Sequence, residues 1–142
     1  KAVVFLSSVC PCSKSHVNHL NQLSLEFPEL KLFGVITDDR QVLTQRALEK
    51  YYSESRFQFS VLADPNQKLV KAYGALKTPH VVLMRRRTNG DYERVYSGGV
   101  SDQRDFAAAG KLFLRDNLVA LREGRVPPHA SGRSLGCYIR RF

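Results

Sequence analysis

AVVFLSSVCPC, residues 2–12, sets an unbroken apolar run directly before two cysteines that are separated by a single proline. Residues 2–7 have the length and continuity of a strand buried on both faces. A turn or helix start follows over residues 8–12. From residue 13 to 27 the apolar side chains Val17, Leu20, Leu23 and Phe27 recur at three- and four-residue steps, one face of an amphipathic helix. Pro28 ends it. A strand that delivers cysteines to the start of a helix is the unit from which the rest of the fold is read.

Working outward, residues 30–37 (LKLFGVIT) form a second predicted strand. Residues 41–52 carry a helical pattern, with Val42, Leu43, Ala47, Leu48 and Tyr51 on one side. Residues 60–63 predict a short strand. Asp64-Pro65 then opens a helix over residues 66–73, with Asp64 as N-cap and Pro65 at the first helical position. Residues 80–84 (HVVLM) form an apolar strand, Asn89-Gly90 is a hairpin turn signal, and residues 92–96 return before Gly98-Gly99. Residues 103–122 predict one long helix with Phe106, Leu112, Phe113, Leu118, Val119 and Leu121 as its apolar members.

Alternating strands and helices imply a parallel sheet, and the closing hairpin adds antiparallel strands to it. The expected class is α/β, a central mixed sheet flanked by helices. Residues 1–122 are expected to form the domain. Residues 123–142 form a C-terminal tail that carries Cys137 and packs on that domain.

Composition narrows the function. The chain has 142 residues, 43% of them hydrophobic and 25% charged, the balance of a globular domain that buries a core unaided. No apolar run is long enough to span a membrane. The net charge is +9, from 22 Lys and Arg against 13 Asp and Glu. The basic residues are scattered apart from Arg85, Arg86 and Arg87, without the interleaved aromatics of a base-stacking surface, so nucleic acid is not expected as a partner.

Three cysteines is an odd number for a disulfide framework, and their placement suits reactive thiols better than staples. A cysteine at a helix N-terminus lies among unpaired backbone N–H groups and near the positive end of the peptide dipoles. Both favour the thiolate, which is the nucleophile, and this activates Cys10. Pro11 suits the first helical turn, and Lys14 adds positive potential one turn on. Cys12 can reach Cys10 only if Cys10 stands outside the helix proper. Otherwise it is a small apolar residue of the first turn. Thr78-Pro79, before the fourth apolar strand, reads by itself as an ordinary loop.

Residues 3–16 (VVFLSSVCPCSKSH) resemble the active-site strand and helix start of thioredoxin-like proteins of the redoxin (AhpC/TSA) group. Residues 73–102 (YGALKTPHVVLMRRRTNGDYERVYSGGVSD) are similar to that group's cis-proline loop and hairpin. Gly136-Cys137-Tyr138-Ile139-Arg140 is similar to a Gly-Cys-x-Ile-Lys ending of exported redoxin-domain proteins.

The resemblance implies a thiol–disulfide oxidoreductase. Cys10 attacks protein disulfides, Cys12 or Cys137 resolves the intermediate, and Pro11, Thr78 and Pro79 shape the substrate site. The implied partners are protein thiols and disulfides and an unidentified electron donor, with no cofactor. The implied setting is the bacterial periplasm, free or tethered facing it, with the leader absent from this sequence.

A thiol peroxidase is an alternative. However, peroxiredoxins carry Pro-x-x-x-Thr-x-x-Cys, and here Ser7 stands for the threonine and Val3 replaces the proline. A copper-binding protein with Cys10, Cys12 and His16 as ligands is another, since thiolate and imidazole suit copper or zinc. Sco-type copper chaperones share the fold but space their cysteines further apart. His16 and His19 are read as solvent-facing, His80 as structural, His129 as uninformative, and Asp38 and Asp39 as helix-capping residues.

Overall fold

A computed structural model of the chain describes residues 1–37, 44–64 and 66–139. The expected roles of Asp38, Asp39, Val42, Leu43, Pro65 and Arg140 lie outside the described residues. In chain order the elements are β1 (Ala2–Leu6), α1 (Pro11–Ser15), α2 (Val17–Glu26), β2 (Leu32–Ile36), α3 (Gln45–Ser55), β3 (Ser60–Ala63) and α4 (Lys68–Tyr73). They continue with β4 (Lys77–Thr78), β5 (His80–Arg86), β6 (Tyr92–Gly98), a 3-10 turn at Phe106–Ala108, α5 (Phe113–Arg122), β7 (Ser131–Gly132) and β8 (Cys137–Tyr138).

The main sheet has the order β3-β2-β1-β5-β6-β7. β1 pairs in parallel with β2 and antiparallel with β5, and β5 pairs antiparallel with β6. The class is the expected one, a mixed sheet flanked by helices. All five β1 residues are buried. Ala2, Val4 and Leu6 join the core shared with Leu20, Leu23, Phe27, Leu114 and Leu118, while Val3 and Phe5 face a second core with Val35, Val70 and Val82. Alternate residues of one strand thus feed opposite faces, which is why the run carries no polar interruption.

All four expected helices differ; the one over residues 41–52 begins at Gln45, because Thr44 has extended backbone and caps it by accepting from Ala47 N–H, and it runs on to Ser55. The helix over residues 13–27 is broken at His16, whose ring Nδ1 lies 2.8 Å from the Cys12 carbonyl. The His16 backbone N–H turns instead to Ser13 O at 3.1 Å. A side chain that takes the carbonyl four residues back interrupts the ladder and kinks it. The helix predicted for residues 66–73 starts at Lys68, because Gln67 stands in the left-handed region at φ 53°. Asp64 still serves it: one carboxylate oxygen accepts from Leu69 and Val70 N–H, each at 3.1 Å. The helix over residues 103–122 is the largest difference. Asp105 accepts from Ala107 N–H and closes a short turn, Asp102 accepts from Gly110 N–H, and α5 begins only at Phe113.

Candidate functional site

β1 carries the chain to Ser7, where the Ser13 hydroxyl accepts the backbone N–H at 3.0 Å and folds the turn onto the helix start. Cys10 is the N-cap of α1, with extended backbone (φ −97°, ψ 114°), and Pro11 is the first helical residue. Cys10 therefore stands outside the helix proper. Its Sγ lies 3.6 Å from the Thr78 carbonyl oxygen. The Thr78-Pro79 peptide bond is cis. Thr78 is fully buried, and its Oγ1 has no hydrogen-bond partner among the described residues.

Cys10 is disulfide-bonded to Cys137, with α-carbons 6.0 Å apart across 127 residues of sequence. Cys12 is the free cysteine, half-buried. The three sulfur atoms lie within 4.8 Å of one another. The structure thus brings all three cysteines, Thr78 and Pro79 together, while Pro11 is exposed at the helix start.

The tail reaches this place along two short strands. β7 pairs in parallel with the end of β6 (Gly98 opposite Gly132), and β8 pairs antiparallel with β4 (Thr78 opposite Cys137). Ser134 Oγ donates to the Pro79 carbonyl at 3.0 Å, and Ile139 N–H donates to Leu76 O at 2.9 Å. Gly136 permits the approach, because a Cβ there would overlap the Thr78 carbonyl. Further back, buried Asn117 holds the tail backbone from both sides: its amide donates to His129 O at 2.9 Å and its carbonyl accepts His129 N–H at 3.0 Å.

His16 does not join the sulfur cluster. A carbonyl only accepts, so Nδ1 carries the proton and donates to Cys12 O, and Nε2 accepts from Ser101 Oγ at 2.7 Å. The potential metal set is Cys10, Cys12 and Cys137 rather than Cys10, Cys12 and His16. Nor do the two histidines face solvent: His16 is 0% and His19 5% exposed. Phe106, freed from the missing helix, stacks on His19 with ring centres 4.4 Å apart and meets His16 edge-on. Burial lowers the pKa of both rings, that of His19 to about 4. His80 bonds Ser97 Oγ at 3.1 Å, and burial, then the charge of Arg94, lowers it to about 4.

Sequence reasoning missed Ser101 and Asn117, which carry no local signal, whereas Gly136 stood in the tail motif without its close approach to Thr78 being legible.

A central mixed sheet with a cysteine at the first helix and a cis-proline loop against it defines a thioredoxin-like domain. The chain belongs to the AhpC/TSA family, whose model matches residues 1–93. No curated protein matches it. It is similar to an uncharacterized conserved protein from Geobacillus kaustophilus, at 26% identity and TM-score 0.85, over 99% of this chain and 76% of that one. A hypothetical protein from Sinorhizobium meliloti superposes at 24% identity and TM-score 0.84, over 99% of this chain and 79% of that one. A secreted disulfide oxidoreductase from Mycobacterium tuberculosis shares the fold at 20% identity and TM-score 0.53, over 66% of each chain.

Proposed function

We propose that the chain is a thiol–disulfide oxidoreductase, with residues 1–122 as its working domain and residues 123–142 as a tail that brings Cys137 to it. The observation that carries this reading is the cluster of three sulfurs beside a cis-proline loop, two of them joined and one free. The Cys10 thiolate attacks one sulfur of a protein disulfide. A Cys10–partner mixed disulfide forms, and the partner's second sulfur leaves as thiolate. Cys12 or Cys137 then attacks Cys10 Sγ, releasing the partner's remaining thiolate and leaving an internal disulfide. The partner gains two electrons and this chain loses them. A reductant of the dithiol class returns it to the starting state.

Several features favour this role. Cys10 sits outside the helix, where first-turn N–H groups can stabilise its thiolate, and a protein of this fold is described as a secreted disulfide oxidoreductase. Export to an oxidising compartment fits that neighbour, and no helix among the described residues is long and apolar enough to cross a membrane.

The test is exchange with a model disulfide protein by the reduced chain. Cys10→Ser is expected to bring the rate to background. Cys12→Ser and Cys137→Ser, made singly, are expected to trap mixed disulfides in proportion to each residue's share of resolution. Undiminished exchange in Cys10→Ser would sink the reading.

A second reading is favoured by the sulfur geometry: once reduced, three thiols within 4.8 Å suit a soft ion such as Cu(I). Stoichiometric Cu(I) binding by the reduced chain, lost in Cys137→Ser, is its test. Binding unchanged in that variant rejects it.

A further inference from the structure

The two sides of the main sheet differ in how their charges are matched. Beside the larger core, Arg115 pairs with Glu26 at 2.7 Å and Arg122 with Glu29 at 2.9 Å, and on the hairpin Arg85 and Arg87 share Glu93. Beside the second core, no carboxylate among the described residues pairs with Lys68, Lys71, Lys77 or Arg94. Three cations of this side lie over tyrosine rings instead. Lys1 Nζ is 5.3 Å from the centre of Tyr92, Arg94 Cζ 6.0 Å from that of Tyr73, and Lys77 Nζ 4.7 Å from that of Tyr138.

These pairs share one face. Tyr73 meets Phe5 of the second core, and Met84 (opposite Arg94) and Ile139 (next to Tyr138) pack on that core. Lys1 lines a cleft with Val3, Leu62, Leu69 and Tyr73. The row follows β1 from Lys1 at its start towards the disulfide beyond its end, where Lys77 and Tyr138 adjoin Thr78 and Cys137. Lys68 and Lys71 are exposed on α4, which covers the same face through Leu69, Val70 and Tyr73. Basic residues that are scattered in the sequence thus become a stripe. Cations gathered without counter-charges repel one another, and a facing anion relieves that repulsion.

We propose that this stripe docks an acidic segment of the exchange partner and leads the partner's cysteine to the Cys10–Cys137 bond. The proposal rests on the exchange reading above and adds the partner's class, a protein with aspartates or glutamates beside its reactive cysteine. An acidic protein is favoured over other anionic surfaces because the stripe is continuous with the place where the partner's sulfur must arrive. Steering by charge and exchange of sulfur then belong to one encounter.

The experiment uses the unmodified chain in its Cys10–Cys137 form and two peptide thiols, Glu-Glu-Cys-Glu-Glu and Lys-Lys-Cys-Lys-Lys. One peptide thiolate attacks the chain's disulfide, a mixed disulfide forms, and one cysteine of the chain leaves as thiolate. A second peptide thiolate then attacks the bound peptide's sulfur. Two peptides are oxidised to one peptide disulfide, and the chain takes up two electrons and two protons. Rates are read by acid quenching, alkylation and mass. Each is divided by the rate of the same peptide with hydroxyethyl disulfide, which removes the effect of the peptide's own thiol pKa.

At about 10 mM ionic strength the acidic peptide is expected to react about tenfold faster than the basic one, with the gap closing by about 500 mM. Arg94→Gln with Lys71→Gln is expected to remove most of the gap. Arg46→Gln with Lys50→Gln, an equal change of net charge on α3, is expected to leave it. Both variants should keep the parent's rate with mercaptoethanol, a neutral thiol. Equal normalised rates for the two peptides, or equal loss of the gap in the two variants, overturn the docking proposal and leave the exchange reading standing. An Arg94/Lys71 variant that keeps the parent's peptide rates and instead loses binding to phosphatidylglycerol vesicles or to single-stranded DNA overturns it as well. A disulfide that none of these thiols opens, mercaptoethanol included, overturns both.

Discussion

The two ends of the Cys10–Cys137 bond are held in different ways. Cys10 rises from a fully buried strand, and its turn is fixed by the Ser13 hydroxyl, by the Cys10 N–H bond to Ser7 O and by the kink at His16. Cys137 belongs to a two-residue strand in a segment of mostly half-exposed and exposed residues, tied at Asn117, β6, Pro79 and Leu76. The first is a rigid bed and the second a strap laid across it. A bed that does not move keeps Cys10 in place, and a strap with few bonds can come off when its one covalent tie is cut. The same chemistry at both ends therefore has unequal mechanical consequences.

Cutting the tie is the strongest way to break this comparison. Closing a loop of 127 residues restricts the unfolded chain, so reduction of the disulfide should lower stability by about 3 to 4 kcal/mol in denaturant unfolding. Amide exchange should locate the change. Gly99 N–H and Ile139 N–H, bonded to Gly132 O and Leu76 O, should lose protection, while Thr37 N–H, bonded to Leu6 O, keeps it. Equal loss at all three would mean that the strap is part of the bed.

Acid should act on the bed instead. The folded pKa values of His19 and His80 lie near 4, below the ordinary 6.5, so between these values the unfolded chain binds more protons. Stability should be complete above about pH 6.5 and fall as pH drops towards 4, by about 3 kcal/mol for each of the two histidines. Thermal unfolding across that range checks this, and His19→Phe should flatten part of the slope.

The smallest effect is expected at the root of the strap. Asn117→Ala leaves His129 N–H and C=O without their side-chain partners, and should cost about 1 to 2 kcal/mol in denaturant unfolding. Reduction of Cys10–Cys137 should become easier in that variant, measured against a glutathione series, with the β1–β2 amides unaffected. An unchanged midpoint in that series would show that Asn117 does not hold the tail.

Much of the bed was legible because its signals are local. The β1 run, the Val17–Leu20–Leu23–Phe27 stripe and the Asn89-Gly90 turn each state their period or turn chemistry within a few residues. The strap was legible only as a cysteine in a tail, since its strands are two residues long and exist through their partners. The histidines were misread for a related reason. Their burial comes from Phe106, some ninety residues away, in a stretch whose alanines favour a helix but whose Asp102, Asp105 and Gly110 close short turns. The pairing of Cys10 was open in the sequence because Cys12 is near in the chain and Cys137 near only in space.

The pairing of β7 with β6 has a colloidal consequence. A Cβ on Gly98 would overlap the Gly132 backbone, one on Gly132 would overlap the Tyr96 hydroxyl and the Phe113 ring, and together with Ser131 Gly132 caps the end of the sheet's outermost long strand. A strand edge without a cover is a template on which another chain can assemble. Each departure of the strap would uncover backbone at Ser97 and Gly99 along with the thiol site. On the proposed exchange cycle, redox state and self-association would be coupled: a population held reduced at high concentration should precipitate sooner than one with the strap closed.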